Sequence, residues 1–296
     1  MSIVTLQLGQ CGNQMGCQFF SSVMTDIHQE FPRSANSSSN NEFCNTTLER
    51  FFTSKQESEH EFRRSTHSSQ YHARAIMVDM EPKVIAQTLT EARRSGKWSY
   101  TPGQQFCQKR GSGNNWALGF CSHGPKVEHD VLEMVRKEVE KCDLFGGFLG
   151  LMSLAGGTGS GVGAYITQCL RDAYPNSSII NQVVWPYNLG EVIVQNYNAI
   201  LTLSHLYQTS DAILGMDNDS LQKICTQLMN VQKVSFQHIN QVIAHKMSSI
   251  LQPCLDGSGR PMRTYLGKLF FVITSNSITL ILTTLNICKL NGKLDL

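Results

Sequence analysis

Short apolar runs alternate with amphipathic segments along most of the chain. The runs with the length and composition of buried strands are residues 3–8, 75–78, 148–154 and 179–185. The segments between them repeat apolar residues every three or four positions, and 126–141 for example places its valines on one helical face. This alternation predicts a doubly wound α/β fold with a mainly parallel sheet.

The predicted domain runs from residue 1 to about residue 252 and ends in a long core helix. Apolar residues recur at helical spacing from Phe236 to Ile250, and Pro253 stops the helix. Residues 253–296 mix apolar residues with many Ser, Thr and Asn, and no Asp or Glu occurs between 257 and 294. This composition predicts a divergent tail and no complete second domain.

Residues 32–70 interrupt the alternation. They begin with a low-complexity stretch of Ser and Asn at 34–41 and continue into a charged stretch at 56–64 that has little apolar periodicity. A segment of this length and composition predicts a partly disordered surface insertion.

The strand at 148–154 runs directly into a glycine-rich loop, after which an amphipathic helix continues to Pro175. The loop consists of Ala155, Gly156, Gly157, Thr158, Gly159, Ser160 and Gly161. Unhindered backbone N–H groups and the positive end of the helix dipole would converge there on one anion, which predicts a phosphate site. No Gly-Lys pair is followed by Ser or Thr as a Walker loop requires, and Val162 stands where a dinucleotide fingerprint needs glycine. The alternative is a flexible turn without a ligand.

Two further polar segments follow predicted strands. Gly9 to Gln14 closes the first strand, and its amides suit a phosphate or a base edge. Asp79 and Glu81 follow the strand at 75–78, where open parallel sheets place ligand groups, and two carboxylates beside a phosphate loop suggest Mg²⁺. The same two residues could instead cap the helix that starts at Pro82, and the spacing does not decide between these roles. Residues 111–116 form another polar glycine loop.

Composition excludes several classes of partner. The formal net charge of +2 provides no bulk field toward nucleic acid or an anionic membrane, so neither is predicted as a partner. Residues 270–287 are interrupted by polar residues and make a poor membrane span. The ten cysteines form no C-x-x-C pair, and residues 1–6 lack the features of a signal peptide. Free thiols and a cytoplasmic location are expected.

Four segments together resemble the nucleotide loops of the tubulin superfamily. In chain order they are Gly9-Gln10-Cys11-Gly12-Asn13-Gln14, Val78-Asp79-Met80-Glu81-Pro82, Asn114-Asn115-Trp116 and Ala155-Gly156-Gly157-Thr158-Gly159-Ser160-Gly161. The insertion after the first helix, Trp116 and the segments 185–187 and 195–198 are most similar to one branch of that family. The resemblance extends from residue 1 to about residue 252, and the chain looks like a C-terminally truncated member.

The resemblance implies GTP and Mg²⁺ as ligands. It implies that the glycine-rich loop is the main phosphate loop, that Asn114 reaches toward the terminal phosphates, and that Asp79 and Glu81 face the water shell of Mg²⁺. It also places four residues of the first glycine segment beside the nucleotide: Gln10, Cys11, Gly12 and Gln14.

At the base end, the resemblance places Glu191 near the ribose and the amides of Asn218 and Asn240 on the guanine edge, which selects GTP over ATP. Two positions depart from the family pattern. Gln222 stands where family members usually carry a tyrosine stacked on the base, and Gln195 stands where they carry a glutamate.

The implied function is that of a GTP-binding cytoskeletal protein associated with the organisation of centriole, basal-body and ciliary microtubules. Other tubulins and centriolar or microtubule proteins are the implied partners, and the cytoskeleton, the centrosome and the base of the cilium are the implied locations. Tubulins orient the water that attacks a neighbour's GTP with an acidic residue, whose apparent counterpart here is Lys268. Binding without donated hydrolysis is therefore expected. A dinucleotide-dependent oxidoreductase and a non-functional truncated product are the alternatives.

Overall fold

A seven-stranded parallel sheet forms the centre of the molecule. The structure is a computed structural model that describes residues 1–28, 37–54, 71–190, 192–255, 261–262 and 279–282. The strands are β1 (Ser2–Leu8), β2 (Phe52–Ser54), β3 (Tyr71–Ala73), β4 (Ala75–Asp79), β5 (Trp98–Tyr100), β6 (Gln105–Cys107), β7 (Phe145–Ser153), β8 (Ile179–Trp185), β9 (Ala212–Asp217), β10 (Cys254–Leu255), β11 (Pro261–Met262) and β12 (Thr279–Leu282). In the central sheet their order is β12-β9-β8-β7-β1-β4-β6, and every neighbouring pair is parallel.

The helices lie on both faces of this sheet. They are α1 (Gly9–His28), α2 (Ser37–Phe51), α3 (Pro82–Arg94), α4 (Gly124–Glu140), α5 (Gly163–Ala173), α6 (Gln195–Thr209), α7 (Asn218–Gln227) and α8 (Phe236–Leu251). Short π-helical turns, Leu118–His123 and Thr158–Val162, lead into α4 and α5. One apolar core joins the sheet to α1, α3, α7 and α8, and a second joins it to α4, α5 and α6. The predicted doubly wound, parallel α/β fold is confirmed.

The prediction of a partly disordered insertion at 32–70 is wrong for residues 37–54. They form α2 and β2, and β2 pairs with β3 in a separate three-stranded sheet. Phe51 and Phe52 are buried in the core, where the ring of Phe51 lies edge-on to that of Phe19 with centroids 5.3 Å apart. Burial of such aromatic side chains stabilises this segment, which has little helical periodicity of its own. The rest of the predicted insertion lies outside the described residues.

Helix α8 is the core helix that the sequence predicts. Ile239, Ile243 and Met247 are buried on the face that packs against α1. Its N-terminus carries a capping box between Ser235 and His238, which fixes where the helix begins. None of the described helices is long and apolar enough to cross a membrane. The eight cysteines whose side chains the structure describes are all free thiols.

Candidate nucleotide-binding site

The central feature of the site is the point where β1 and β7 lie side by side and continue into helices on opposite faces of the sheet. Ligands of open α/β sheets bind in the crevice at such a switch point, outside the carboxyl ends of the strands. Here Gly9 and Gly159 are in backbone contact, because a Cβ atom on Gly9 would lie 2.8 Å from the nitrogen of Gly159. Gly9 also has a φ of 71°, which favours glycine. The two predicted ligand segments therefore meet at this edge.

The first segment is helical throughout and the second becomes helical at Thr158, where the sequence predicted loops. Helix α1 begins at Gly9, so the site candidates Gln10, Cys11, Gly12 and Gln14 lie in its first two turns. The glycine-rich segment enters the π-helical turn Thr158–Val162, which continues into α5. The first N–H groups of a helix have no partner within the helix, so both helix starts offer N–H donors to an anion at the crevice.

The segment 111–116 packs against the glycine-rich segment. The hydroxyl oxygens of Ser112 and Thr158 are 3.0 Å apart, within hydrogen-bonding distance. A Cβ atom on Gly157 would lie 2.6 Å from the Cβ of Ser112 and 2.8 Å from the backbone nitrogen of Asn115. A Cβ atom on Gly156 would lie 3.8 Å from Oδ1 of Asn114, so the predicted phosphate residue Asn114 lies at this junction. Its backbone adopts the left-handed conformation, with a φ of 53°.

Asp79 ends β4 beside β1 and is buried. Its Oδ1 accepts a hydrogen bond from the backbone N–H of Met80 at 2.7 Å, and its Oδ2 has no partner. Burial raises the pKa of this carboxyl group to about 6. A buried carboxylate oxygen without a partner is costly unless a ligand satisfies it, and a divalent cation would do so.

Glu81 occupies the N-cap position of α3, but its side chain makes no capping hydrogen bond. The exposed carboxylate lies against the 111–116 segment, since a Cβ atom on Gly111 would be 2.8 Å from Oε1 of Glu81. The capping alternative for Asp79 and Glu81 is therefore not supported. Among the described residues, no group of three His, Cys, Asp or Glu side chains could hold a metal by itself. Mg²⁺ usually takes one or two carboxylates together with substrate phosphates and water, and this pair fits that role.

An open cavity of about 710 Å³ lies between α1, α3 and α8. Its lining includes Gln14, which is predicted to lie beside the nucleotide, and the predicted base-end residue Asn240, which is 7% exposed. Phe236 lines the same cavity one helical turn before Asn240 and is 64% exposed. An exposed aromatic ring beside two amides can stack on a planar base while the amides hydrogen-bond to its edge.

The other predicted residues that the structure describes at this end, Asn218, Gln222 and Gln195, do not line this cavity. Asn218 begins α7 directly after β9, and the preceding Asp217 caps the helix by accepting a hydrogen bond from the N–H of Ser220 at 3.0 Å. Gln222 is exposed on α7, and Glu191 lies outside the described residues. Gln195 is buried and donates a hydrogen bond from Nε2 to the carbonyl of Tyr187 at 2.8 Å. The ribose and base roles of these residues stay predictions.

Sequence reasoning missed two residues that the structure brings to the site. Phe236 was assigned only to the apolar pattern of α8, although its spacing of four residues from Asn240 places both side chains on one helical face. Asn198 lies on α6 and forms three hydrogen bonds to the two segments beside the predicted phosphates. A single buried asparagine in a helix gives no distinctive sequence signal.

The chain matches a protein-family model described as the Tubulin/FtsZ family, GTPase domain, over residues 2–226. The chain belongs to the tubulin/FtsZ family. The segment matched by the tubulin/FtsZ model contains β1 to β9, both helix starts at the switch point and the two carboxylates. Phe236 and Asn240 lie beyond it.

The similarity to curated relatives covers more of the chain than the family model does. The chain is 53% identical to a tubulin delta chain of Macaca fascicularis over 253 residues, which cover 86% of this chain and 53% of that protein. It is 52% identical to the tubulin delta chain of Canis lupus familiaris over 272 residues, or 91% of this chain and 57% of that protein. The human tubulin delta chain is 51% identical over 253 residues, with 86% and 53% covered. The chain thus spans about half the length of the curated relatives it matches.

Proposed function

We propose that this chain binds one GTP molecule with Mg²⁺ at the carboxyl edge of its sheet. The observation that carries the proposal is the contact between separate helix starts and loops at the switch point, where Gly9 meets Gly159 and Gly157 meets Asn115. These contacts gather N–H donors from distant parts of the chain around one crevice. Membership of a family named for its GTPase domain supports a guanine nucleotide over the dinucleotide alternative.

Specificity for guanine would come from the cavity between α1, α3 and α8. Gln14 and Asn240 offer amides that both donate and accept, and guanine presents both kinds of group along one edge. The ring of Phe236 supplies the aromatic platform that Gln222 lacks. Asp79 and Glu81 would hold the water shell of Mg²⁺, while the glycine-rich segment and Asn114 contact the phosphates.

Thermal unfolding of the full chain tests nucleotide binding. A ligand that binds only the native state at about 1,000 times its Kd stabilises the fold by roughly 4 kcal/mol. We expect GTP with Mg²⁺ to raise the Tm by several degrees, and ATP and NAD at the same concentration to leave it unchanged. Equal shifts with NAD and GTP would support the oxidoreductase alternative, and no shift with any nucleotide would contradict the proposal.

Phe236 provides a test of the base end. Replacing Phe236 with alanine is expected to weaken GTP binding about 10-fold, because stacking of a base on an aromatic ring contributes roughly 1–3 kcal/mol. The Phe236→Tyr variant retains a ring and should bind like the unsubstituted chain. Leu228 is equally exposed, at 64%, and lies at the end of α7, so Leu228→Ala is the matched control. If both alanine variants bind GTP with unchanged affinity, Phe236 is not part of the site.

The cellular role follows from similarity to tubulin delta chains. We propose a cytoskeletal protein that acts with other tubulins and with centriolar or microtubule proteins, at the centrosome and the base of the cilium. A fluorescently tagged chain in ciliated cells should then concentrate at centrioles, and a uniform cytoplasmic signal would contradict this role.

Hydrolysis in a neighbouring subunit is not part of the proposal. Lys268, the apparent counterpart of the acid that orients the attacking water, lies outside the described residues, and its amino group cannot act as a general base while protonated. We expect the purified chain to bind GTP without concentration-dependent turnover. Turnover that rises with the concentration of the chain would show that another residue performs this step.

A further inference from the structure

A buried asparagine on α6 connects the two segments that flank the phosphate side of the site. Asn198 is 3% exposed. Its Oδ1 accepts a hydrogen bond from the backbone N–H of Trp116 at 3.2 Å. Its Nδ2 donates to the carbonyl oxygens of Asn114 at 2.8 Å and Ala155 at 2.7 Å. One side chain therefore holds backbone groups from positions about 40 and 80 residues away along the chain.

The two carbonyl groups that accept from Asn198 lie outside helices and strands. Asn114 is in the left-handed conformation in the turn before Trp116, and Ala155 lies in the short stretch between β7 and the π-helical turn. A second contact between the same segments, Ser112 to Thr158, joins two partly buried hydroxyl groups only. The three backbone hydrogen bonds of Asn198 are thus the main polar link that sets the spacing of the two segments.

Helix α6 is itself well placed to fix that spacing. It packs against α5 and against the π-helical turn Thr158–Val162. Further along α6, the ring of His205 lies 5.2 Å from that of Trp116 and 4.5 Å from that of Phe120, measured between centroids. Asn198 therefore projects from a helix that contacts both segments, and its position is determined by packing on either side.

We propose that Asn198 is a positioning residue for the phosphate chain of the nucleotide. It does not touch the nucleotide but holds Asn114 and the glycine-rich segment at the separation that lets both contact the same phosphates. The inference rests on the proposed GTP site. Because α6 lies on the face of the sheet opposite α1 and α8, the base end should not depend on it.

This role differs measurably from a general contribution to stability. If Asn198 only stabilised the fold, its removal would lower the affinity for every ligand of the folded chain by a similar factor. If Asn198 positions the phosphate segments, its removal should lower the affinity for a ligand more strongly the more phosphates that ligand carries. The ratio of the affinities for GTP and for guanosine, which has no phosphate, separates the two cases.

The experiment measures binding of GTP, GDP and guanosine to the full chain in the presence of Mg²⁺. In Asn198→Ala we expect GTP affinity to fall about 30-fold, since three hydrogen bonds are lost and two carbonyls and one N–H lose their partner. GDP affinity should fall less, and guanosine affinity should stay within about 2-fold. Asn196, exposed in the same turn of α6, provides the control, and Asn196→Ala should leave all three affinities unchanged.

A second variant keeps the test valid if the alanine variant does not fold. Asn198→Ser keeps a small polar side chain without adding a charge, but its single hydroxyl group cannot replace all three hydrogen bonds. Its GTP affinity should fall further than its guanosine affinity, as in the alanine variant. Equal losses for GTP and guanosine, or no loss for either, would overturn the positioning role. If the unsubstituted chain binds no GTP, the proposed function fails first, and this inference fails with it.

Discussion

Replacing Gly157 with alanine is expected to abolish detectable GTP binding and to lower the free energy of unfolding by about 2 kcal/mol or more. The added Cβ atom would lie 2.6 Å from the Cβ of Ser112 and 2.8 Å from the backbone nitrogen of Asn115. Backbone atoms cannot rotate away as a side chain can, so the 111–116 segment must move off the glycine-rich segment. Denaturant unfolding and GTP titration of the variant measure the two effects.

The neighbouring glycine provides the matched control. A Cβ atom on Gly156 would meet its nearest atom, Oδ1 of Asn114, at 3.8 Å, which is ordinary van der Waals contact. Gly156→Ala should therefore change the free energy of unfolding by less than about 0.5 kcal/mol. Equal destabilisation by both substitutions would show that close packing of the two segments is not what requires glycine at position 157.

Replacing Asp79 with asparagine is expected to stabilise the metal-free chain and to remove the dependence of GTP binding on Mg²⁺. Burial raises the pKa of Asp79 from about 3.8 to about 6, so the folded state binds this proton more tightly than the unfolded state does. Its contribution to stability is therefore greatest below the unfolded pKa and is lost as the pH rises through the folded pKa. At pH 7 the ionised carboxylate destabilises the metal-free fold by about 3 kcal/mol, and asparagine avoids this cost.

The difference between Asp79→Asn and the unsubstituted chain isolates this group from the other carboxylates. In EDTA, that difference in the free energy of unfolding should appear between pH 4 and pH 6 and remain constant above it. Glu81 is exposed, so Glu81→Gln should reduce the effect of Mg²⁺ on GTP affinity without stabilising the metal-free chain. A variant at position 79 that is no more stable and still responds to Mg²⁺ would contradict the metal-site assignment.

Much of the fold could be predicted because its central strands are buried on both faces and are therefore continuously apolar. The predicted strand at 179–185 coincides with β8, and the amphipathic segment at 126–141 forms most of α4. Segments that are stabilised by contacts with residues far away in the sequence were not predictable in this way. Helix α2 is rich in Ser and Asn, and contacts with the core stabilise it.

Contacts at the candidate site were predictable where the polar and glycine residues are concentrated in a short motif. The contact of Gly9 with Gly159 and the position of Asn114 follow from glycine segments placed at the ends of neighbouring parallel strands. The roles proposed for Phe236 and Asn198 depend on how α8 and α6 pack against other elements, which the spacing of residues does not reveal. For the same reason, sequence alone directed attention to Gln222, whereas Phe236 is the residue whose side chain lines the cavity with Asn240.

Titration calorimetry of the full chain with GTP and with ATP, both in Mg²⁺, tests the central claim most directly. If separate segments at the switch point form one guanine-nucleotide site, one GTP should bind per chain, with an affinity at least about 100-fold above that for ATP, since a mismatched base leaves the buried amide of Asn240 unpaired. The Gly157→Ala variant should show no binding heat. Equal affinities for GTP and ATP, or unchanged GTP binding by Gly157→Ala, would contradict the account.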